Sequence, residues 1–150
     1  MQRLLIITFL LFATLACSKD KFTSQPQVTV KSIQPSIVTN GSVIRLLASY
    51  TDEEGDIDSV YIVYKWYNGN TPTLIDTLMR FPTSRLGIPA QLRKSDIAVE
   101  FEYNTYNQQS LLTLPGVSRD TSATLGLLLI DKTKKRSNYS ESTKIRLKKP

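Results

Sequence analysis

Ile97-Ala98-Val99-Glu100-Phe101-Glu102-Tyr103-Asn104 alternates between two chemistries at a strict period of two. Ile97, Val99, Phe101 and Tyr103 fall on one side of an extended chain, and Ala98, Glu100, Glu102 and Asn104 on the other. That period belongs to a half-buried strand, because a helix repeats every 3.6 residues and would scatter the apolar set around its axis. Further along the chain, Leu125, Leu127, Leu129 and Ile130 make a strand apolar on both faces, hence a central one. Ile145 and Leu147 alternate with Lys144, Arg146 and Lys148, the charge pattern of an edge strand.

Upstream the same grammar holds. Val28 and Val30 open the series, and Gln34-Pro35-Ser36 breaks it. Ile44, Leu46, Ala48 and Tyr50 share a face between the Asn40-Gly41 turn and the acidic stretch Asp52 to Asp56. Val60, Ile62, Tyr64 and Trp66 align in the next strand, which ends at Asn68-Gly69-Asn70. A weaker strand, Thr73 to Arg80, stops at Pro82. About seven strands at this spacing, with no amphipathic helix among them, predict an all-β immunoglobulin-like antiparallel β-sandwich, with Trp66 as a core filler. Two connections are long, Pro82 to Ser95 and Asn104 to Asp120, and Gln91-Leu92-Arg93 is expected to form a short helical turn.

The N-terminus has a different logic. Arg3 precedes an apolar run from Leu4 to Phe12, too short for the ~20 residues that span a bilayer. Ala13-Thr14-Leu15-Ala16-Cys17 follows and resembles the lipobox of bacterial lipoproteins, with Thr14 where leucine is commonest. The expected organisation is a cleaved lipoprotein signal peptide at 1–16, a lipidated Cys17 heading a flexible tether at 17–26, and the sandwich at 27–150. Two or three acyl chains on Cys17 would anchor it firmly, each buried CH₂ contributing ~0.8 kcal/mol. Lys19-Asp20 resembles the start of the export signal that sends Bacteroidota lipoproteins to the outer face of the outer membrane, although Lys21 stands where a second acid is expected. A plain polar tether explains the same residues. The expected location is therefore the cell envelope, lipid-anchored to the outer membrane and exposed on the surface if that signal operates.

The chain contains one cysteine and no histidine. An internal disulfide is impossible, and Ser-His-Asp triads, Cys-His pairs and imidazole zinc sites are excluded. The net charge of +6 falls by one when the segment holding Arg3 is removed. The basic residues are scattered apart from Lys132 to Arg136 and the closing lysines, a solvated rim rather than a nucleic-acid groove.

Two stretches carry a family resemblance. Tyr50-Thr51-Asp52-Glu53-Glu54-Gly55-Asp56-Ile57 resembles the turn between the second and third strands of small Ig-like lipoproteins of Bacteroidota, and more loosely of PKD-type domains. Ile130 to Asn138 resembles the hairpin before their last strand, with Lys134-Lys135 where that hairpin has Gly-Asn. The resemblance implies a cell-envelope binding or scaffold module and brings no catalytic residues with it.

Asp52, Glu54, Asp56 and Asp58 offer hard oxygen ligands at alternate positions around Gly55, and Asp131 joins them if the loops cluster. Such a set suits calcium, although an EF-hand's spacing and distal Glu are absent. A turn whose carboxylates hold backbone N–H groups explains the same residues. Tyr61 and Tyr67, on the face opposite Trp66, and Tyr103 and Tyr106, flanking a long loop, are candidate stacking residues for a sugar or a protein, or simply sheet packing. Glu100 and Glu102 share one strand face and read as solvated residues rather than a glycosidase pair. Asp58-Ser59-Val60 and Asp76-Thr77-Leu78 resemble Bacteroidota O-glycosylation triplets. The resulting expectation is a non-enzymatic, lipid-anchored envelope lipoprotein acting as a binding or assembly accessory, docking another envelope protein or a glycan. The alternatives are a surface carbohydrate-binding lipoprotein of a polysaccharide-uptake system and, from another class, a hydrolase.

Overall fold

In a computed structural model of the protein, residues 23–86, 88–89, 91–105 and 112–150 are described. Cys17, Lys19, Asp20 and Tyr106 lie outside them. The described chain is an all-β sandwich of two packed sheets. Its strands are β1 (Gln27–Gln34), β2 (Ile37–Val38), β3 (Val43–Thr51), β4 (Ile57–Asn68), β5 (Thr71–Pro82), β6 (Lys94–Tyr103), β7 (Thr113–Leu114), β8 (Thr121–Asp131), β9 (Ser140–Glu141) and β10 (Ile145–Leu147). One sheet runs β1-β3-β6-β7, and the other β2-β10-β8-β4-β5, with β9 also on β8. This is the immunoglobulin-like order, with β4 and β8 at the heart of the larger sheet. The pairings are antiparallel except for two short parallel ones, β2 with β10 and β6 with β7.

The period-two pattern builds the core directly. Ile97, Val99, Phe101 and Tyr103 of β6 face Ile62 and Leu127 from the opposite sheet's set, all buried. β8 is central as its composition requires: Ala123 to Leu127 and Leu129 to Asp131 are buried, so both faces are covered. Trp66 packs on the core from its margin, and its indole N–H donates to Thr121 Oγ1 at 2.7 Å. Turn chemistry sits where glycine permits it. Gly69 has φ +61° in the two-residue loop between β4 and β5.

Three expectations are corrected, on β10, the helical turn and Ser59. β10 is not an edge strand, because β2 pairs with its outer side, and the edges of that sheet are β2 and β5. The helical turn of the first long connection is a 3-10 turn at Thr83–Leu86, whereas Gln91 takes φ +67° and breaks any helix there. Separately, residues just ahead of β1 touch the sandwich: Pro26 is buried, Gln25 Nε2 donates to the Arg136 carbonyl at 2.6 Å, and Glu53 N–H donates to the Thr23 carbonyl at 3.4 Å. Ser59 is 1% exposed, so the folded domain has no room for a sugar on it. No helix among the described residues is long and apolar enough to cross a membrane.

Candidate functional site

At one end of the sandwich, three elements converge on the acidic turn. Asp52 follows the last residue of β3, Asp56 precedes β4, and Asp131 ends β8. The two sheets thus each contribute a carboxylate, from Asp52 behind β3 and Asp131 on β8. One oxygen of each of the three lies within 4.8 Å of the others. Asp52 is fully buried, Asp131 is 1% exposed and Asp56 is partly exposed.

Each buried carboxylate divides its two oxygens. Asp52 Oδ2 accepts the Asp56 N–H at 2.9 Å, holding the turn. Asp131 Oδ1 accepts from Thr133 Oγ1 and the Lys135 N–H, both at 2.8 Å, holding the hairpin. The remaining oxygens, Asp52 Oδ1 and Asp131 Oδ2, are buried without a hydrogen-bond partner, as is Asp56 Oδ1. Burial pushes the Asp52 carboxyl above the usual range; the Asp56 N–H opposes this, and the charges of Asp56, Glu54 and Asp131 add to it.

The other acids of the turn serve different partners. Glu54 meets Lys135 Nζ at 3.3 Å. Asp58 accepts from Arg80 at 2.8 Å and lies 3.6 Å from Lys134, and the Arg80 hydrogen bond chiefly holds its carboxyl below the usual range. The alternate spacing therefore overstates the site: Asp52, Asp56 and Asp131 assemble, while Glu54 and Asp58 turn outward to basic side chains. The hairpin lysines are spent on the rim, outside the trio. Lys134 also adopts φ +70°, the conformation for which the resembled hairpin carries glycine.

Among the described residues, Tyr61, Tyr67 and Tyr103 occupy different settings. Tyr103 is fully buried; its hydroxyl donates to the Lys148 carbonyl at 2.8 Å and accepts the Val117 N–H at 3.1 Å. Tyr61 is half-buried, with the Arg80 guanidinium 6.0 Å from its ring. Tyr67 is half-buried beneath the Lys144 ammonium, 4.3 Å from its ring, and its hydroxyl donates to Glu141 at 3.1 Å. Glu100 is paired with Arg45 at 3.5 Å, and Glu102 accepts from Thr105 at 2.6 Å, so neither faces the other across a cleft.

A polar cluster that the sequence did not reveal covers the outer face of β8. Lys65 Nζ meets Glu141 Oε2 at 2.6 Å and stands 4.8 Å from the Tyr139 ring. That ring lies so close over Gly126 that an added Cβ would fall 2.3 Å from its hydroxyl. Only a glycine in mid-strand hints at such an approach. Burial raises the Glu141 carboxyl, but hydrogen bonds from Lys65, Thr124 and Tyr67 outweigh it and leave it below its usual value. A group depressed on folding stabilises above its unfolded pKa and loses that contribution as pH falls through the folded one. Glu141→Gln should therefore cost about 1 kcal/mol at neutral pH. The difference from wild type should shrink in thermal melts as pH falls below the ordinary carboxylate range and vanish only below the depressed folded value; a pH-independent difference would mean that packing, not charge, is at work.

No family model matches the chain, and no curated protein matches it. Among solved structures, it is similar to an alkylpurine DNA glycosylase, AlkC of Pseudomonas fluorescens, bound to DNA with an abasic-site analogue, at 11% identity and a TM-score of 0.43. That match covers 83% of this chain and 31% of the glycosylase. The sporulation control protein Spo0M of Bacillus subtilis is similar over 80% of this chain and 49% of its own, at 8% identity and a TM-score of 0.45. A Niemann-Pick type C2 protein of the Japanese carpenter ant matches at 12% identity and 0.38, over 86% of this chain and 94% of its own. The chain thus spans about a third and about half of the first two proteins.

Proposed function

We propose that the protein is a non-enzymatic, lipid-anchored lipoprotein of the cell envelope whose sandwich serves as a binding or assembly module for another envelope protein. The lone cysteine at Leu15-Ala16-Cys17, directly behind an apolar run of signal-peptide length, carries the reading. The chain has no histidine, and among the described residues Glu100 and Glu102 are each engaged elsewhere, which supports a binding module over a hydrolase.

A protein partner is favoured over a glycan by where the apolar surface lies. Among the described strands β5 ends the larger sheet, and Leu74 and Ile75 on it are 41% and 64% exposed. A terminal strand with exposed apolar side chains at Leu74 and Ile75 is the kind of surface used in strand addition. The glycan alternative needs an aromatic platform, and Tyr103 and Tyr67 are committed within the fold.

Expression of the full chain in a bacterium supplied with labelled palmitate tests the anchor. Wild-type protein should carry the label and sediment with membranes. Cys17→Ala should lose both, and a variant that still labels and partitions would sink the reading.

A further inference from the structure

We propose that Asp52, Asp56 and Asp131 form a calcium site that clamps the two sheets together at the end of the sandwich where the N-terminal segment joins it. Three observations converge on a cation. One carboxylate oxygen of each of the three residues lies within 4.8 Å of the others, and ligands at calcium's ~2.3–2.6 Å can sit that far apart on one ion. Two of the residues are essentially unexposed, so their orphan oxygens are shielded from bulk solvent and have no hydrogen-bond partner among the described residues. The second oxygen of Asp52 and of Asp131 is held by the protein, which orients the free one, as partners behind metal ligands do.

A turn-holding role alone uses only one oxygen per carboxylate. It leaves three negative groups pressed together in a buried space, and the nearby hairpin lysines reach Glu54 and Asp58 instead. Calcium fits better than magnesium. A purely oxygen donor set suits both, but magnesium retains several waters, and the buried positions of Asp52 and Asp131 restrict them.

The position gives the ion work to do. A Cys-Cys bridge between sheets is impossible in this chain, and the ion would supply the missing tie between the end of β3 and the end of β8. The residue beside Asp52, Glu53, also holds the Thr23 carbonyl, and the Asp52 N–H donates to the Arg93 carbonyl at 2.8 Å. Calcium would thus stiffen the turn, the incoming segment and the 91–93 loop as one unit.

The test uses the full chain in detergent, stripped with a chelator and then freed of it. Calorimetric titration with calcium chloride should show one ion per chain. A tenfold excess over Kd should raise Tm by about 5 °C, and magnesium should give a smaller shift. Asp131→Asn keeps an oxygen for Thr133 and Lys135 but loses the charge, and it should abolish the shift. Glu54→Gln and Asp58→Asn, acids of the same turn outside the trio, should retain it. No heat and identical melting in millimolar calcium and in chelator would overturn the site. So would a shift that Asp131→Asn retains or Glu54→Gln loses, or a magnesium response equal to that of calcium. If Asp131→Asn does not fold, the wild-type titration and the two outer variants decide alone.

Discussion

Tyr103→Ala is expected to destabilise the domain by about 3–5 kcal/mol, the scale of emptying a fully buried aromatic site. Tyr103 is the last residue of β6, has no exposed surface, and belongs to the core beside Leu114, its register partner on β7. Its hydroxyl does further work, joining the Lys148 carbonyl behind β10 to the Val117 N–H before β8. Tyr103→Phe separates the two contributions. It keeps the ring but strands a half-buried acceptor and a buried donor, for a loss of about 1–3 kcal/mol. Urea unfolding with an unchanged m-value measures both, and Tm should fall by more than about 10 °C in the alanine variant. Equal losses in the two variants would mean that the hydroxyl network, not packing, fixes the residue. A loss below about 1 kcal/mol in Tyr103→Ala would place the side chain outside the core.

Tyr103 also shows how the sequence is best read. It carries two signals at once: a place in the alternating row with Ile97, Val99 and Phe101, and a polar hydroxyl next to a long loop. The row wins, because a strand's period commits every second residue to the core, and the hydroxyl needs only two main-chain partners to tolerate burial. Where the evidence is periodic, as in β6 and β8, the strand and its buried face can be read directly. It fails where the deciding contact is remote in sequence. β10 looks like an edge because nothing in Ile145–Leu147 announces that Ile37–Val38 will lie beside it. Glu141 and Lys65 are 76 residues apart, and neither local sequence predicts their pair.

The acidic site divides in the same way. Asp52, Asp56 and Asp131 are recognisable as a candidate set from residue type and from the expectation that neighbouring loops cluster. Which acids point inward is another matter, settled by where the basic side chains of the facing hairpin and of β5 fall. Lys135 draws Glu54 outward, and Arg80 with Lys134 draws Asp58. Ser59 likewise sits in an attractive triplet, but the bulge that shifts the β4–β8 register between Ile57 and Ser59 accompanies a buried side chain there.

Gly55→Ala should be the other severe substitution, at about 3–4 kcal/mol, because two independent penalties meet at one Cα. Gly55 has φ +69°, where an L side chain costs roughly 1–2 kcal/mol. Its added Cβ would also stand 3.0 Å from the Leu92 carbonyl carbon, 3.1 Å from the Arg93 nitrogen and 3.1 Å from the Gln91 carbonyl carbon. Those atoms are backbone, and they are pinned: the Arg93 carbonyl accepts the Asp52 N–H, and the Leu92 carbonyl accepts the Tyr50 hydroxyl at 3.1 Å. Relief by moving a side chain is not open to them, so overpacking adds about 2 kcal/mol. Gly41→Ala supplies the control, since Gly41 has φ +76° and nothing within 4 Å of the added atom. It should cost only the conformational term, about 1–2 kcal/mol. Matched urea titrations of the two variants measure the gap. Equal losses would show that the 91–93 loop yields freely, and hence that it does not wall the acidic turn. A gap of about 2 kcal/mol would show that the turn is held from both sides: by the loop against Gly55, and by Asp52 Oδ2 on the Asp56 N–H one residue further along.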